Sequence, residues 1–255
     1  MTESPSSFFW YELMTTDAKA ARDFYAEVVG WGLQPHEGSG MDYTVVKAGD
    51  TGVGGIMELS PEACEQGARP GWMGYIHARD TDAATDSVKA AGGTVLREPD
   101  DIPTVGRFSV VTDPHGAAFM LMTPLDEGQP VTSMTPGNIG WHELYAGDLE
   151  TDFAFYARQF GWTKGDTMNT DEGFVYQLFN VNGQMTGGMM TRPQEIPVPM
   201  WLFYFIVGDI DAAAKRVTDG GGQVLNGPME VPDGWVLQCM DPQGAMFALA
   251  GTRER

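Results

Sequence analysis

The chain contains an internal duplication, and this feature limits its fold more than any other. A set of aromatic, acidic and glycine positions in the first half returns 131 residues later in the second half: Trp10, Glu12, Leu13, Asp17, Phe24, Tyr25, Gly30 and Trp31 match Trp141, Glu143, Leu144, Asp148, Phe155, Tyr156, Gly161 and Trp162. An Asp-Pro-x-Gly-Ala sequence also occurs twice, beginning at Asp113 and at Asp241. The fold must therefore accommodate two copies of one pattern.

A weaker repeat divides each half again. The first half opens with an apolar run typical of a strand, and Asp17 then provides a good N-cap for residues with helical spacing. Two β-like runs follow at residues 43–48 and 52–59, and the pattern restarts at Trp72. Three further β-like runs complete the second quarter: residues 94–97, 107–112 and 117–123. The sequence thus predicts an α+β fold built from four β-α-β-β-β modules.

The two halves are expected to form separate domains. Residues 125–138 are rich in Pro, Gly, Ser and Thr, a composition typical of a linker. We therefore predict a first domain over residues 8–124, a linker over residues 125–138 and a second domain over residues 139–251.

Composition limits the partners and the compartment. The 35 acidic residues against 15 Lys and Arg give a formal net charge of -20, which repels nucleic acid and anionic lipid. Cys64 and Cys239 are far apart, which excludes a disulfide scaffold or zinc ribbon. Neither a signal peptide nor a membrane span is recognisable. We expect a cytoplasmic protein that binds neither nucleic acid nor membrane, and homo-oligomerisation is left open.

The repeated motifs resemble those of a known superfamily. Paired β-α-β-β-β units, a Phe-Tyr pair on the first helix, the Gly-Trp after it and an Asp-Pro-x-Gly turn before the last strand are similar to the vicinal oxygen chelate superfamily. That group includes glyoxalase I, bleomycin-resistance proteins, fosfomycin-resistance enzymes and extradiol dioxygenases. The resemblance implies two tandem glyoxalase-like domains, in each of which a pair of modules forms an open β cup for a ligand. It predicts the fold more sharply than the function, because one fold hosts many chemistries.

The resemblance also implies where a metal ion would bind, and the usual ligands are missing there. The first family ligand, typically His, lies seven residues before the Asp that ends the first strand. The three ligand positions are occupied in the two halves by Trp10, Met73 and Met120, and by Trp141, Leu202 and Ala248. None of these side chains is a donor that divalent metals prefer. We therefore expect no standard metal site and no other cofactor.

Strand alternation predicts the side chains that line the cups, since every second residue of a strand faces the same way. The expected ligand-binding residues are Trp10, Met14, Met73, Met120 and Met122 in the first cup, and Trp141, Glu143 and Tyr204 in the second. These aromatic and sulfur-rich walls with few polar groups are typical of a small-molecule site. Trp can stack on a flat ligand and Met adapts to several shapes. The alternative is that the same side chains fill the cups as packed core.

Three residues of the first cup form a candidate catalytic set. Glu12 is a carboxylate on an otherwise apolar strand face, where burial is expected to raise its pKa. His77 is predicted to face the same cup and to form an acid and base pair with Glu12, while Tyr75 is placed to stabilise a ligand oxyanion. A structural role for Glu12 and Glu143 is the alternative. A metal ion held by Glu12 and His77 with Glu58 or water is a further alternative.

The sequence therefore predicts a protein that binds a small apolar or aromatic molecule without a standard metal site. It would either sequester this ligand or perform metal-free isomerase or lyase chemistry, so its status as an enzyme is left open. Two other functions stay open: a metal-dependent glyoxalase-like lyase or dioxygenase with displaced ligands, and a non-enzymatic interaction module. The remaining histidines, His36, His115 and His142, are expected to be exposed or hydrogen-bonded outside the cups.

Overall fold

The order of the elements repeats the predicted module four times. A computed structural model of the chain describes residues 6–36, 42–126, 134–169 and 173–253. Module 1 contains β1 (Phe8–Thr15), α1 (Ala18–Val29), β2 (Gly32–Pro35), β3 (Tyr43–Ala48) and β4 (Thr51–Glu58), followed by a short helix α2 (Pro61–Glu65). Module 2 contains β5 (Gly71–His77), α3 (Thr81–Ala90), β6 (Thr94–Ile102), β7 (Gly106–Thr112) and β8 (Ala118–Pro124).

The second half has the same order. Module 3 contains β9 (Ile139–Ala146), α4 (Leu149–Phe160), β10 (Thr163–Asn169), β11 (Val175–Val181) and β12 (Gln184–Thr191). Module 4 contains β13 (Met200–Asp209), α5 (Ile210–Asp219), β14 (Gln223–Val231), β15 (Gly234–Met240) and β16 (Met246–Thr252). The predicted α+β fold of four β-α-β-β-β modules is confirmed. Among the described residues, no helix has the length and apolar character that crossing a bilayer requires.

Each module begins its main helix at an aspartate. The carboxylates of Asp17, Asp80, Asp148 and Asp209 accept a hydrogen bond from the backbone N–H three residues later, which satisfies one of the amides that a helix start leaves without a partner. The expected strand-to-helix junction is therefore present in all four modules.

The strands form two open eight-stranded sheets. Modules 1 and 2 supply the order β2-β3-β4-β1-β5-β8-β7-β6, and modules 3 and 4 supply the order β10-β11-β12-β9-β13-β16-β15-β14. Pairs of modules thus share a sheet, as the resemblance implied. Residues 127–133 of the predicted linker lie outside the described residues, and the domain bounds 8–124 and 139–251 stay a prediction.

The chain also divides into two compact units. Unit 1 comprises the described parts of Met1–Trp10, Gly74–Pro130 and Trp141–Trp201, so it contains most of modules 2 and 3. Unit 2 comprises the described parts of Tyr11–Met73, Val131–Gly140 and Leu202–Arg255, so it contains most of modules 1 and 4.

A buried hydrogen-bond relay lies at the centre of unit 2. The indole Nε1–H of Trp72 donates to the Tyr25 hydroxyl at 2.9 Å, and that hydroxyl donates to Oδ2 of Asp241 at 3.1 Å. Oδ1 of Asp241 accepts the backbone N–H groups of Gln243 and Ala245 at 2.9 and 2.8 Å. Burial raises the pKa of Asp241. The relay joins the Phe-Tyr motif to the Asp-Pro-x-Gly turn and satisfies the polar atoms of both.

Unit 1 contains the same relay. Trp201 Nε1–H donates to the Tyr156 hydroxyl at 3.0 Å, and this hydroxyl donates to Oδ2 of Asp113 at 3.2 Å. Tyr25 and Tyr156 are both fully buried among aromatic rings. Two motifs that mark the duplicated sequence are therefore hydrogen-bond partners inside each unit.

Removal of either relay hydroxyl is expected to destabilise the protein. Tyr25→Phe and Tyr156→Phe should each lower the free energy of unfolding by about 1 to 3 kcal/mol, because a buried indole N–H and a buried carboxylate lose a partner. Urea unfolding measures this change. Thr218→Val, which removes an exposed helix hydroxyl, serves as the control, and equal effects of all three changes would contradict the structural role of the relay.

Candidate functional site

A chain of hydrogen bonds fixes a carboxylate on one face of the strands of module 3, within unit 1. Trp141 Nε1–H donates to the Tyr176 hydroxyl at 2.9 Å, and the Tyr176 hydroxyl donates to Oε2 of Glu143 at 2.8 Å. Glu143 is only 6% exposed, whereas Trp141 and Tyr176 are half-buried. We call Trp141, Tyr176 and Glu143 the Glu143 network. The network orients the Glu143 carboxylate through the Tyr176 hydroxyl, which Trp141 fixes in turn.

A glycine on the neighbouring strand makes room for this network. β12 pairs with β9 in parallel, and Gly188 lies opposite Glu143 in the register. A Cβ atom at Gly188 would overlap the ring of Tyr176. The Tyr176 ring therefore lies over Gly188, at a position that only glycine leaves open.

Module 1 repeats the feature within unit 2. Glu12 is 7% exposed, and Gly55 on β4 lies opposite it in the parallel register. A Cβ atom at Gly55 would overlap the hydroxyl of Tyr43. Both halves thus place a tyrosine over a glycine that pairs with a buried glutamate. Sequence reasoning missed both tyrosines, although the pairs Tyr43 with Gly55 and Tyr176 with Gly188 recur at a common offset of 133 residues.

The register of β4 decides the position of Glu58. Met14 pairs with Met57, and Thr15 pairs with Glu58. Because Glu12 and Met14 face the same side of β1, Met57 shares that side and Glu58 faces the other side. Glu58 is therefore not placed to complete a metal site with Glu12.

Four predicted residues of the first cup lie together in unit 1. Tyr75 pairs with Met120, and His77 pairs with Met122, on neighbouring parallel strands. Tyr75, Met120 and Met122 are buried, and His77 is half-buried. The ring of Phe9 lies 6.5 Å from Tyr75 and 6.1 Å from His77 between centroids. Strict alternation along β1 assigns Phe9 to the opposite face from Trp10, so sequence reasoning missed it.

The other predicted site residues have varied surroundings. Trp10 in unit 1 is half-buried, as are Met14 and Met73 in unit 2. Tyr204 in unit 2 is buried, and its hydroxyl accepts a hydrogen bond from Gln238 Nε2 at 3.5 Å. The pairing of Glu12 with His77 stays a prediction, because Glu12 belongs to unit 2 and His77 to unit 1.

His142 lies away from the Glu143 network, as expected. It is fully buried, its ring stacks on Phe8 with 5.0 Å between centroids, and its Nδ1 lies 3.0 Å from the carbonyl oxygen of Thr186. Burial lowers the pKa of His142 to about 4, so the ring is neutral at physiological pH. Its role is to fill the core with a satisfied polar group.

The residues present do not fit the metal ion that the superfamily resemblance implies. Among the described residues, no three His, Cys, Asp or Glu side chains are grouped closely enough to hold a metal ion. The family ligand position on β8 holds the thioether of Met120, which lies beside Tyr75. Thioether and aromatic groups are poor ligands for hard divalent ions.

The sequence matches the family model of the Glyoxalase/Bleomycin resistance protein/Dioxygenase superfamily over residues 7–121 and 138–249. The chain belongs to this superfamily. It is 34% identical over 243 residues to the Mycobacterium tuberculosis protein named "Putative glyoxylase CFP32", covering 94% of this chain and 92% of that protein. It is 30% identical over 276 residues to the anthracycline biosynthesis protein DauV of Streptomyces sp. (strain C5), covering 98% of this chain and 95% of that protein.

Solved structures share the superfamily fold. The Mn(II)-bound glyoxalase from Novosphingobium aromaticivorans aligns with a TM-score of 0.63 and 18% identity, over 98% of this chain and 83% of that chain. Homoprotocatechuate 2,3-dioxygenase from Arthrobacter globiformis aligns with a TM-score of 0.69 and 14% identity, over 98% and 80%. At these identities the similarity concerns the fold alone.

Filling the glycine positions should displace the tyrosines. Gly188→Ala and Gly55→Ala are each expected to lower the free energy of unfolding by about 1 to 3 kcal/mol, because the added methyl group overlaps a tyrosine ring or hydroxyl. Chemical denaturation measures the change. Gly71→Ala is the matched control, since nothing lies within 4 Å of an added Cβ there. A neutral Gly188→Ala variant would show that the Tyr176 ring does not occupy this position.

Divalent metals should leave the melting temperature unchanged. A metal that binds the native state raises this temperature, and the residues at the family positions offer no suitable donors. Thermal-shift measurements on EDTA-treated protein with Mn, Fe, Ni or Zn ions test this. A stabilisation that EDTA reverses would instead support a metal-dependent lyase or dioxygenase with displaced ligands.

Proposed function

We propose that this protein binds a small, mostly apolar or aromatic molecule on the strand faces that carry Glu143 and Glu12, without a standard metal ion. The observation that carries the proposal is the Glu143 network. It fixes a buried carboxylate beside two partly exposed aromatic rings, an arrangement typical of small-molecule sites, where a few oriented polar groups lie on an apolar wall.

The network suits recognition of an aromatic ligand. The rings of Trp141 and Tyr176 offer surfaces for stacking, and Glu143 offers an acceptor whose geometry is already set before a ligand arrives. Binding to such an oriented acceptor costs less conformational entropy than binding to a mobile one. The buried thioether of Met190, which pairs in the register with Tyr145, adds adaptable apolar surface to the same strands.

The ligand is either sequestered or converted. For conversion we assign Glu12 as general base, His77 as its acid and base partner and Tyr75 as hydrogen-bond donor to an oxyanion, in isomerase or lyase chemistry that needs no metal. The grouping of Tyr75 with His77 on one strand supports this assignment.

The relative DauV supports an organic ligand with flat rings. Its name describes it as an anthracycline biosynthesis protein, and anthracyclines are polycyclic aromatic compounds. A ligand of this general class would match the aromatic and sulfur-rich character of the proposed site.

Loss of the Glu143 charge should weaken ligand binding. A thermal-shift screen of flat aromatic compounds first identifies a ligand, and calorimetry then measures its Kd. Glu143→Gln is expected to raise Kd about tenfold or more, because a hydrogen bond to a charged acceptor contributes about 1.5 to 3 kcal/mol. Glu58→Gln in module 1 is the control, because Glu58 faces the side of its sheet opposite to Glu12. Equal Kd values for the two variants, or no stabilising compound, would contradict the proposal.

A change at His77 separates sequestration from catalysis. If the ligand is converted, His77→Ala should abolish turnover because the acid and base partner is lost, whereas for a binding protein it should alter affinity alone. Product analysis and calorimetry on the same ligand give the two readouts. Unchanged turnover in His77→Ala would exclude the assigned catalytic pair.

A further inference from the structure

The two hydrogen-bond relays differ at three neighbouring positions. The Asp-Pro-x-Gly turn carries His115 in unit 1, where its counterpart in unit 2 is Gln243. The helix that contacts the turn carries Asp152 in α4, where α1 has Ala21. The residue before the helix N-cap is Gly147 in unit 1 and Thr16 in unit 2. The Trp, Tyr and Asp residues of the relay are unchanged between the copies.

The three residues of unit 1 contact one another. His115 Nδ1 lies 2.5 Å from Oδ1 of Asp152, whose side chain is completely buried. Oδ2 of Asp152 accepts the backbone N–H of Gly147 at 2.9 Å and that of Asp148 at 3.4 Å. A Cβ atom at Gly147 would overlap the His115 side chain, so glycine is required for the histidine to reach Asp152. The three residues that differ between the copies therefore contact one another in unit 1.

Solvent can exchange protons with this contact. The His115 side chain is 36% exposed, although its carboxylate partner is fully buried. A fully buried carboxylate is costly unless a positive charge and hydrogen bonds compensate it. The protonated imidazolium supplies that charge. A neutral imidazole can still donate from Nδ1, but it leaves Asp152 without a counter-charge.

Other acidic groups face the same histidine. Asp113 lies on its own turn, and Asp148 is the N-cap residue of α4. Asp152, and to a lesser extent Asp113 and Asp148, raise the pKa of His115. Burial, and then the charge of Asp152, raise the pKa of Asp113 to about 6. Folding of unit 1 therefore favours proton uptake at two neighbouring groups.

We propose that His115 and Asp152 form a proton-dependent clasp within unit 1, which ties the Asp113 turn to the start of α4 when His115 is protonated and weakens when His115 is neutral. The clasp goes beyond the proposed ligand binding, because it concerns the pH response of the fold. It has no counterpart at Ala21 and Gln243 in unit 2.

The sign of the pH effect follows from the raised pKa values. The stabilisation from His115 is fully present below its ordinary value of 6.5 and disappears as the pH rises through the raised value. The contribution of Asp113 is fully present below its ordinary value of 3.8 and disappears as the pH rises through about 6. Both changes lower the stability of unit 1 as the pH rises, but only the loss of the His115 proton weakens the clasp, and the His115 contribution accounts for the loss above pH 6.5.

An NMR titration of the wild-type protein tests the proposal directly. The imidazole signals of His115 should titrate with a midpoint above 6.5, and Asp152→Asn should lower that midpoint. A midpoint at or below 6.5 in the wild type, or one that Asp152→Asn leaves unchanged, would overturn the proposal. This measurement needs no ligand, so its outcome is independent of the proposed binding function.

Hydrogen exchange adds a test with an internal control. After correction for intrinsic exchange rates, protection of the Gly147 and Asp148 amides should fall about tenfold for each pKa unit by which folding raises the pKa of His115, between pH 6 and pH 8. The matching amides of Thr16 and Asp17 in unit 2 should not respond. The same pH response in both units would overturn the proposal.

Exchanging the residues of the two copies completes the test. The double variant H115Q/D152A gives unit 1 the unit 2 residues at two of the three positions and should lose the pH response above pH 6.5. The reciprocal variant T16G/A21D/Q243H should give unit 2 a histidine that titrates above 6.5. A response that persists in the double variant would overturn the proposal, and if that variant does not fold, the titration of the wild type still decides.

Discussion

The hydrogen bond from a buried tyrosine hydroxyl to a buried aspartate joins a helix to a turn in each unit of this protein. In unit 1 it joins Tyr156 on α4 to Asp113, whose other oxygen orders the turn that leads into β8. β8 carries Met120 and Met122, and α4 directly follows β9, which carries Trp141 and Glu143. One polar interaction in an aromatic core therefore positions two groups of candidate site residues.

A second constraint is steric. In each half a tyrosine lies over a glycine of β4 or β12, which has no side chain to block it. In module 3 this allows the Tyr176 hydroxyl to bind Glu143, and a carboxylate is thereby fixed on an aromatic face. In the proposed site, the Glu143 carboxylate lies two residues after Trp141, the position at which the superfamily resemblance implies a metal ligand.

The modules could be predicted from the sequence because their signals are local. The four capping aspartates and the apolar alternation specify each strand-to-helix junction within a few residues. β2 was missed because all four of its residues are exposed, so it lacks an apolar pattern. The residues at the family ligand positions can be read from the sequence itself, since these positions are counted from the aspartates.

The partners of the site residues could not be predicted, because they depend on register and on distant segments. The Tyr176 hydroxyl reaches Glu143 because Gly188, which lies opposite Glu143 in the register, leaves room for the tyrosine ring. The pattern of β1 alone does not predict that Phe9 contacts Tyr75 and His77. Tyr25 and Asp241 mark the repeat in the sequence, but nothing in their spacing showed that they bind one another across 216 residues. The contact between His115 and Asp152 likewise joins residues that are 37 positions apart in the sequence.

Native mass spectrometry of protein purified without chelators tests the central claim most directly, because one spectrum reports both metal and organic adducts. The account predicts no stoichiometric first-row metal, and a single-ligand adduct with a stabilising aromatic compound that is reduced in Glu143→Gln. A stoichiometric divalent metal that EDTA removes together with the bound compound would contradict it.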